Sequence, residues 1–325
     1  MSGQLCFKCH VSEPAIISRE GKKKLYCVEC FKKFSFNVFR TSVQRATLTD
    51  TVEAKEGGII AVSGGRSSML LLDWLCELRE YQEKTTHTPW EDLIVVFVKG
   101  LDYETTAWEN EACDFVHDHC VKRHVKFRMV SVAEYLSDLP AKPLVEERIL
   151  LLRMILAKEA KLLQVRRVFY GGDATSLAGL TLYYLACGGA HLYWRITSEH
   201  DVVGDLLILR PLRNLLSSEA ALAAHFFQVP YVQTSAVSRT DPRNVKRVIR
   251  NFLCGISVNF KSTIFNILRT VDKIPHNETL DRPLLHPAKS ESRSCAVCLS
   301  EIRTENVDKL ALGEVCKSCQ LVLTM

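Results

Sequence analysis

Apolar residues recur along this chain with two periods. Gly58-Ile59-Ile60-Ala61-Val62 is a short apolar, β-branched run, the pattern of a strand buried on both faces. Leu93 to Val98, Val125 to Val130 and Val168 to Tyr170 predict three more strands. Between them the apolar positions change to helical spacing, over Met69 to Arg79 and over residues 105–121, 145–164 and 174–187. Strands alternating with helices predict an α/β fold, a mostly parallel sheet with helices on both faces. Ligands of such sheets lie beyond the carboxyl ends of the strands, where the loops 63–68, 99–104 and 171–175 fall.

The first of these loops is Ser63-Gly64-Gly65-Arg66-Ser67-Ser68, between the first strand and the following helix. A glycine-rich turn at a helix N-terminus offers backbone N–H groups and a positive dipole end to a phosphate. It lacks the Gly-Lys-Ser/Thr ending of a Walker A loop, and an ordinary tight strand–helix turn would have the same composition.

Cysteine changes the picture most. Eight of the thirteen fall into two matching units, Cys6/Cys9 with Cys27/Cys30 and Cys295/Cys298 with Cys316/Cys319. Each unit is two C-x2-C pairs separated by 17 residues. Each pair presents two thiolates to one ion, and two pairs complete a tetrahedron around zinc. Two structural zinc sites are therefore expected, closed by four thiolates and without an open position; an iron–sulfur cluster is the alternative for the same ligands. Of the other five, Cys76, Cys113, Cys120, Cys187 and Cys254, most are expected to be buried small hydrophobes. His117, His119, Cys120 and His124 cluster locally, but on a helix such histidines more often lie on a solvated face.

The composition is that of a globular protein: 325 residues, 47% hydrophobic and 24% charged. No apolar run reaches the length of a membrane span, and residues 1–9 carry no charged-then-apolar leader pattern, so a cytoplasmic, non-membrane protein is expected. The net charge of +5 is compatible with a nucleic-acid partner. Candidate phosphate contacts are Lys22, Lys23 and Lys24, with Lys32, Lys33, Arg40 and Arg45, and a second group at helical spacing, Arg243, Lys246, Arg247 and Arg250. A solvated helix face is the plainer reading of such a run. Residues 275–293 are polar, contain Pro275, Pro283 and Pro287, and are expected to be a linker. The expected division is a cysteine module at 1–45, an α/β domain at 46–274, the linker, and a second cysteine module at 294–325.

The order of these parts resembles the tRNA thiolation family of PP-loop ATP pyrophosphatases, whose fold is adenine nucleotide alpha-hydrolase-like. The resemblance rests on four segments. They are Cys6-Phe7-Lys8-Cys9 through Cys27-Val28-Glu29-Cys30-Phe31 and on to Phe39-Arg40, then Ser63-Gly64-Gly65 with Ser67-Ser68, then Gly172-Asp173-Ala174-Thr175-Ser176-Leu177-Ala178, and Leu209-Arg210-Pro211-Leu212-Arg213 with Glu219 following. It implies a degenerate nucleotide site at Ser63, Gly64, Gly65, Arg66, Ser67, Ser68, Gly172 and Asp173.

The chain departs from the catalytic members in two places. They carry Ser-Gly-Gly-Lys-Asp-Ser, whereas Arg66 and Ser67 occupy the lysine and aspartate positions here. Arginine keeps the charge with another shape, and loss of the carboxylate removes a ligand suited to magnesium. Catalytic members also use a C-x2-C pair after the third strand and one later cysteine. This chain has no cysteine between Cys120 and Cys187, and none over Val229 to Ser235. The resemblance therefore implies a non-catalytic subunit with no catalytic residue of its own. It would form a heterodimer with a catalytic homologue that 2-thiolates the wobble uridine of tRNA, using sulfur from a thiocarboxylated ubiquitin-related carrier. Whether ATP and magnesium bind is left open. Two other readings stand beside it: a zinc-ribbon adaptor on a degenerate domain without tRNA contact, and an active ATP-dependent sulfurtransferase.

Overall fold

The computed structural model describes residues 5–19, 24–48, 57–85, 92–101, 107–135, 148–186, 193–203, 205–233, 245–273, 308–310 and 313–315. A two-stranded antiparallel ribbon, β1 (Ile16–Ile17) and β2 (Leu25–Tyr26), leads into helix α1 (Val28–Leu48). The central sheet holds β3 (Gly58–Ala61), β4 (Leu93–Lys99), β5 (Lys126–Ser131), β6 (Arg167–Tyr170), β7 (His200–Val203) and β8 (Leu206–Leu209), in the order β5-β4-β3-β6-β8-β7. All neighbours are parallel except β7, which runs antiparallel to β8 at one edge. The chain proceeds outward from β3 to β5, then returns to the other side of β3 at β6. The switch point between β3 and β6 is where a parallel sheet opens a crevice.

Four expected strands and four expected helices are present with small shifts in their ends. The helices are α2 (Arg66–Thr85), α3 (Ala107–Lys122), α5 (Arg148–Leu162) and α6 (Ala174–Ala186), with a single turn, α4 (Val132–Tyr135), after β5. The β7–β8 hairpin was not anticipated, although Leu206-Leu207-Ile208-Leu209 is fully apolar and fully buried.

The period-2 alternation sorts the sheet's side chains between two cores. Ile60, Val95, Phe97, Phe169, Leu207 and Leu209 point into a core shared with α2, α3 and α8 (Ser217–Phe226). Ile59, Ile94, Val96, Val168 and Ile208 point to the opposite face, against α5. Because both faces are covered, the strands need no polar side, which is why they appear as continuous apolar runs. A third cluster joins α6 to α9 (Val245–Asn259) and α10 (Ser262–Lys273) through Leu177, Leu253, Ile264 and Leu268. The short helix α7 (Tyr193–Thr197) precedes β7.

The N-terminal cysteine module shares the first core. Phe39 and Phe36 of α1 lie 5.2 and 5.7 Å from the Trp74 ring of α2, and Phe227 meets the same ring at 5.4 Å. Phe31 meets Phe226 edge-on at 6.1 Å. Offset and edge-to-face aromatic contacts of this kind are worth about 0.5–1.5 kcal/mol each beyond their burial.

Segment 209–213 joins β8 to the rest of the molecule. Arg210 donates to the carbonyls of Ser198 and Arg195, and Arg213 donates to Thr197 O and to the Asp272 carboxylate of α10. Burial, reinforced by Arg153 nearby, pulls the Arg210 guanidinium down to about 10. These arginines hold α7, β8 and α10 together. The expected linker 275–293 lies outside the described residues. Of the C-terminal region, β9 (Asp308–Leu310) and β10 (Gly313–Val315) form an antiparallel hairpin. Among the described residues, no helix is long and apolar enough to cross a membrane.

Candidate functional site

A cleft of about 960 Å³ opens at the switch point, lined by the loop 63–68, by Gly171 to Ser176, by Ser217 and by one face of α9. Local sequence explains its floor. Gly64 turns the chain with φ +77°, a left-handed conformation that glycine adopts without strain, and its carbonyl accepts from Val232 N–H at 2.9 Å. Gly171 lets β6 pass the start of α2, because a Cβ there would lie 3.0 Å from the Ser68 Cα and 3.1 Å from its nitrogen. Ser68 closes the loop on itself, donating to Gly65 O at 2.8 Å while its Oγ accepts from Ser63 N–H at 3.2 Å. The N-termini of α2 and α6 both open toward this space.

Asp173 is the only carboxylate among the described residues that line the cleft, and it is 4% exposed. It caps α6, its Oδ1 accepting from Ser176 N–H at 2.9 Å, and the same oxygen accepts a short hydrogen bond from the Ser217 hydroxyl. Its Oδ2 accepts from the Ser67 hydroxyl at 3.0 Å. Ser67 therefore faces Asp173 as a donor. A second carboxylate at that distance would repel it unless a cation lay between.

The cleft's cations are Arg66, Lys246 and Arg250. The Arg66 Nε is shielded from solvent and has no hydrogen-bond partner. Lys246 lies over the Tyr183 ring at 4.7 Å. Burial pushes the Tyr170 hydroxyl, which also lines the cleft, up to about 12, so it stays neutral.

The second site is the N-terminal quartet. One ligand atom from each of Cys6, Cys9, Cys27 and Cys30 lies within 4.8 Å of the other three. The ribbon and the first turn of α1 bring the two pairs together: Phe7 N–H donates to Leu25 O at 2.8 Å, and Cys30 lies in that first turn. Backbone N–H groups point at sulfur, from Cys27 to Cys6 Sγ at 3.2 Å and from Lys8 at 3.4 Å. Burial raises the Cys6 thiol, but these donors and the Cys9 amide outweigh it, and the net shift is downward. Cys9 is drawn down to about 6 by the backbone N–H groups of Ser12 and Val11. Burial and the neighbouring thiols push Cys30 up to about 12. A cation taking all four thiolates removes that conflict, so the donor set fits a metal.

The remaining cysteines divide. Cys76, Cys113 and Cys120 are buried in the core as expected, whereas Cys254 is exposed at the rim of the cleft and Cys187 lies outside the described residues. The histidine cluster beside Cys120 is not assembled. His119 bonds Asp73 at 2.7 Å, His117 stacks edge-on with Phe127, and Cys120 is fully buried. Cys295, Cys298, Cys316 and Cys319 lie outside the described residues, as do Lys22, Lys23 and Arg243. Lys24 covers the Phe7 ring at 5.0 Å, and Arg40 donates to Asn37 at 3.0 Å. On α9, Lys246 and Arg250 line the cleft, while Val245, Val248 and Phe252 are the exposed apolar positions. Sequence reasoning did not single out Ser217 or Arg19. The signal for Ser217 was its place in the first turn of a helix whose third position, Glu219, accepts from the Leu216 N–H at 2.9 Å.

Comparison with known proteins places these features. Residues 244–321 match the family model described as Cytoplasmic tRNA 2-thiolation protein 2. A human protein of that name is 29% identical over 146 residues, 44% of this chain and 27% of the human protein. The chain thus aligns with about a quarter of that relative's length. The protein of that name from Drosophila yakuba is 22% identical over 343 residues, covering 96% of this chain and 80% of the relative. Among solved structures, the U34-tRNA thiolase NcsA from Methanococcus maripaludis, which carries a [4Fe-4S] cluster, superposes with a TM-score of 0.70. That alignment covers 98% of this chain and 96% of NcsA at 16% identity, a likeness of fold.

Proposed function

We propose that the chain is a member of the cytoplasmic tRNA 2-thiolation protein 2 family, which its matches to that family support, and that its role is in tRNA thiolation. It acts in the cytoplasm as the non-catalytic subunit of the machine that 2-thiolates the wobble uridine of tRNA. Its partner is a catalytic homologue, and sulfur arrives on a thiocarboxylated ubiquitin-related carrier. The observation that carries the non-catalytic assignment is that Ser67 in the loop meets Asp173 as a hydrogen-bond donor, which leaves Asp173 as the one carboxylate among the described residues lining the cleft. The cysteines support the same reading: three of the four described outside the quartet are buried, and Cys254 stands alone.

The N-terminal quartet holds a structural zinc ion in this reading. A Zn–S distance of about 2.3 Å in a tetrahedron sets sulfurs roughly 3.8 Å apart. Cys9 and Cys27 stand at 3.9 Å. Cys295, Cys298, Cys316 and Cys319 are proposed to form a second, matching site. The two cysteine modules, at 1–45 and 294–325, flank the α/β domain at 46–274. Transfer RNA phosphates are met by Lys24, Arg40, Lys246, Arg247 and Arg250, together with Lys22, Lys23 and Arg243.

The test is reconstituted thiolation with the catalytic homologue, tRNA, ATP and a thiocarboxylate donor, scored for 2-thiouridine with and without this chain. Dependence on the chain is expected, together with no pyrophosphate release by the chain alone. Equal thiolation without it overturns the role, and pyrophosphate release by the isolated chain overturns the non-catalytic assignment.

A further inference from the structure

The outer face of α9 is apolar where that of its neighbour α10 is polar. Val245, Val248 and Phe252 on α9, and Phe260 directly after it, are 44–63% exposed. Their spacing of three, four and eight residues, with half-buried Ile256 between the last two, sets them in one row along the helix. On α10 the exposed positions are Ser262, Asn266, Arg269, Thr270, Asp272 and Lys273, all of them polar. The row is distinct from the cleft, which takes Lys246, Arg250 and Leu253 from another side of α9. It continues toward the cysteine module: Lys261, next to Phe260, donates to the Ile17 carbonyl at 3.4 Å, and the Ile17 side chain is exposed as well. Single exposed apolar residues are ordinary, whereas a contiguous row marks an interaction surface.

We propose that this row is the docking surface for an amphipathic helix of the partner subunit, apolar along its centre and acidic along its borders. The proposal rests on the subunit reading above and names the surface through which the subunits meet. Charge selects the occupant. Between Val245 and Lys273 the chain carries Lys246, Arg247, Arg250, Lys261, Arg269 and Lys273 against one acid, Asp272, which is bound to Arg213. A second copy of this chain would bring cations to cations, so a self-complementary contact is disfavoured. An acidic border on the partner turns the same charges into attraction. RNA would also meet the cations, but Val245, Val248 and Ile256 offer neither a donor to phosphate nor a ring for a base. A helix laid along the row is held by anchors at i, i+3 and i+7, the mode of helices that dock by one apolar face. At Gly255, three residues after Phe252, an added Cβ would meet nothing within 4 Å, so the backbone there is open to close approach.

The experiment uses the full chain and the catalytic homologue, with Val248→Asp and Phe252→Asp as variants. Sedimentation gives assembly, filter binding gives tRNA affinity, and thermal unfolding of the chain alone reports the fold. Each variant is expected to weaken assembly about thirtyfold or more, because an acid then stands on the apolar row and faces acids. The unfolding midpoint and the tRNA affinity of the chain alone are expected to be unchanged. Assembly of the unaltered proteins should weaken with added salt and should slow amide exchange in residues 245–259, readouts that need no variant. Undiminished assembly by both variants, or unslowed exchange in α9, overturns the inference and leaves the subunit reading standing. Loss of tRNA affinity with assembly intact overturns it in favour of an RNA surface. Self-association of the unaltered chain that both variants abolish overturns it in favour of a contact between copies. An unaltered chain that does not assemble with the homologue at all overturns the subunit reading, and this inference with it.

Discussion

Arg19 closes on Glu219 with two parallel hydrogen bonds, Nε to Oε1 at 2.8 Å and Nη2 to Oε2 at 2.6 Å, across 200 residues of sequence. The same guanidinium donates to Asn214 O at 3.0 Å and lies between the rings of Phe34 and Phe265, 5.1 and 4.8 Å from their centres. Arg19 follows the first strand of the ribbon in the cysteine module, and Glu219 accepts from the backbone at the start of α8. One residue after Leu216, Ser217 donates to Asp173 in the cleft. The cysteine module and the cleft thus meet at the start of α8, where Glu219 holds Arg19 and the Leu216 amide and the neighbouring Ser217 holds Asp173.

Removing Arg19 leaves a buried carboxylate without its cation. Arg19→Met is expected to cost about 2–4 kcal/mol in urea unfolding, at the lower side of buried-pair losses because Arg19 keeps partial exposure. The sign of its pH dependence follows from Glu219. Burial already holds that carboxyl above its ordinary value, outweighing Arg19 and the Leu216 amide. Without Arg19 it rises further. The folded value then exceeds the unfolded value of about 4.3 by a wider margin. Stability of the variant should therefore be greatest below that unfolded value and fall as pH rises through the raised one, more steeply than in the parent. A flatter profile than the parent's would show that Arg19 does not govern Glu219.

Stripping metal from the N-terminal quartet should loosen α1 from the core, because that helix starts on the ligand pair Cys27 and Cys30. Chelation, or Cys6→Ser, is expected to lower the thermal midpoint and to expose the face of α1 that carries Phe39. Metal content by mass spectrometry, read beside proteolysis within residues 28–48, checks both halves. Full metal content in Cys6→Ser would remove Cys6 from the ligand set.

The aromatic cluster around Trp74 predicts unequal costs for two substitutions. Phe39→Ala empties a fully buried site against Trp74 and should cost about 3–5 kcal/mol. Trp74→Phe removes an indole N–H that is buried without a partner, so its loss of packing is partly offset and about 1–3 kcal/mol is expected. Urea denaturation of the two variants gives the order.

Two glycines should respond in opposite directions to alanine. At Gly171 a Cβ would press on the Ser68 backbone at 3.0 Å, shifting the start of α2 and lowering the thermal midpoint. Gly255 is inside α9, and an added methyl group there would meet nothing within 4 Å. Gly255→Ala should therefore stabilise by about 0.5–1 kcal/mol through backbone entropy and helix propensity. Thermal midpoints of both variants decide the matter.

Much of this protein was legible residue by residue. Ile59 and Ile60, on opposite faces of β3, are both buried because helices cover both faces, and that double burial is what an unbroken apolar run encodes. The C-x2-C spacing of Cys6/Cys9 and Cys27/Cys30 is local chelation geometry, so their convergence needed only one ribbon to bring two turns together. The Ser63 to Ser68 loop was placed at a strand–helix junction by its glycines. The β7–β8 hairpin was missed although Leu206 to Leu209 is as apolar as β3; its partner β7, His200-Asp201-Val202-Val203, opens on two polar residues and carries no such run.

The sequence by itself determined the alternation of strands and helices, the quartet spacing and the position of the loop, because these depend on interactions within a few residues. Only the tertiary structure decided that β6 lies beside β3, that Ser67 and Ser217 direct their hydroxyls to Asp173, and that Arg19 reaches Glu219. Hydrophobic periodicity says which face of an element is buried but not which element covers it. The partner of a buried polar group is fixed only when two distant faces meet, where leaving either group unpaired would cost about 1–3 kcal/mol.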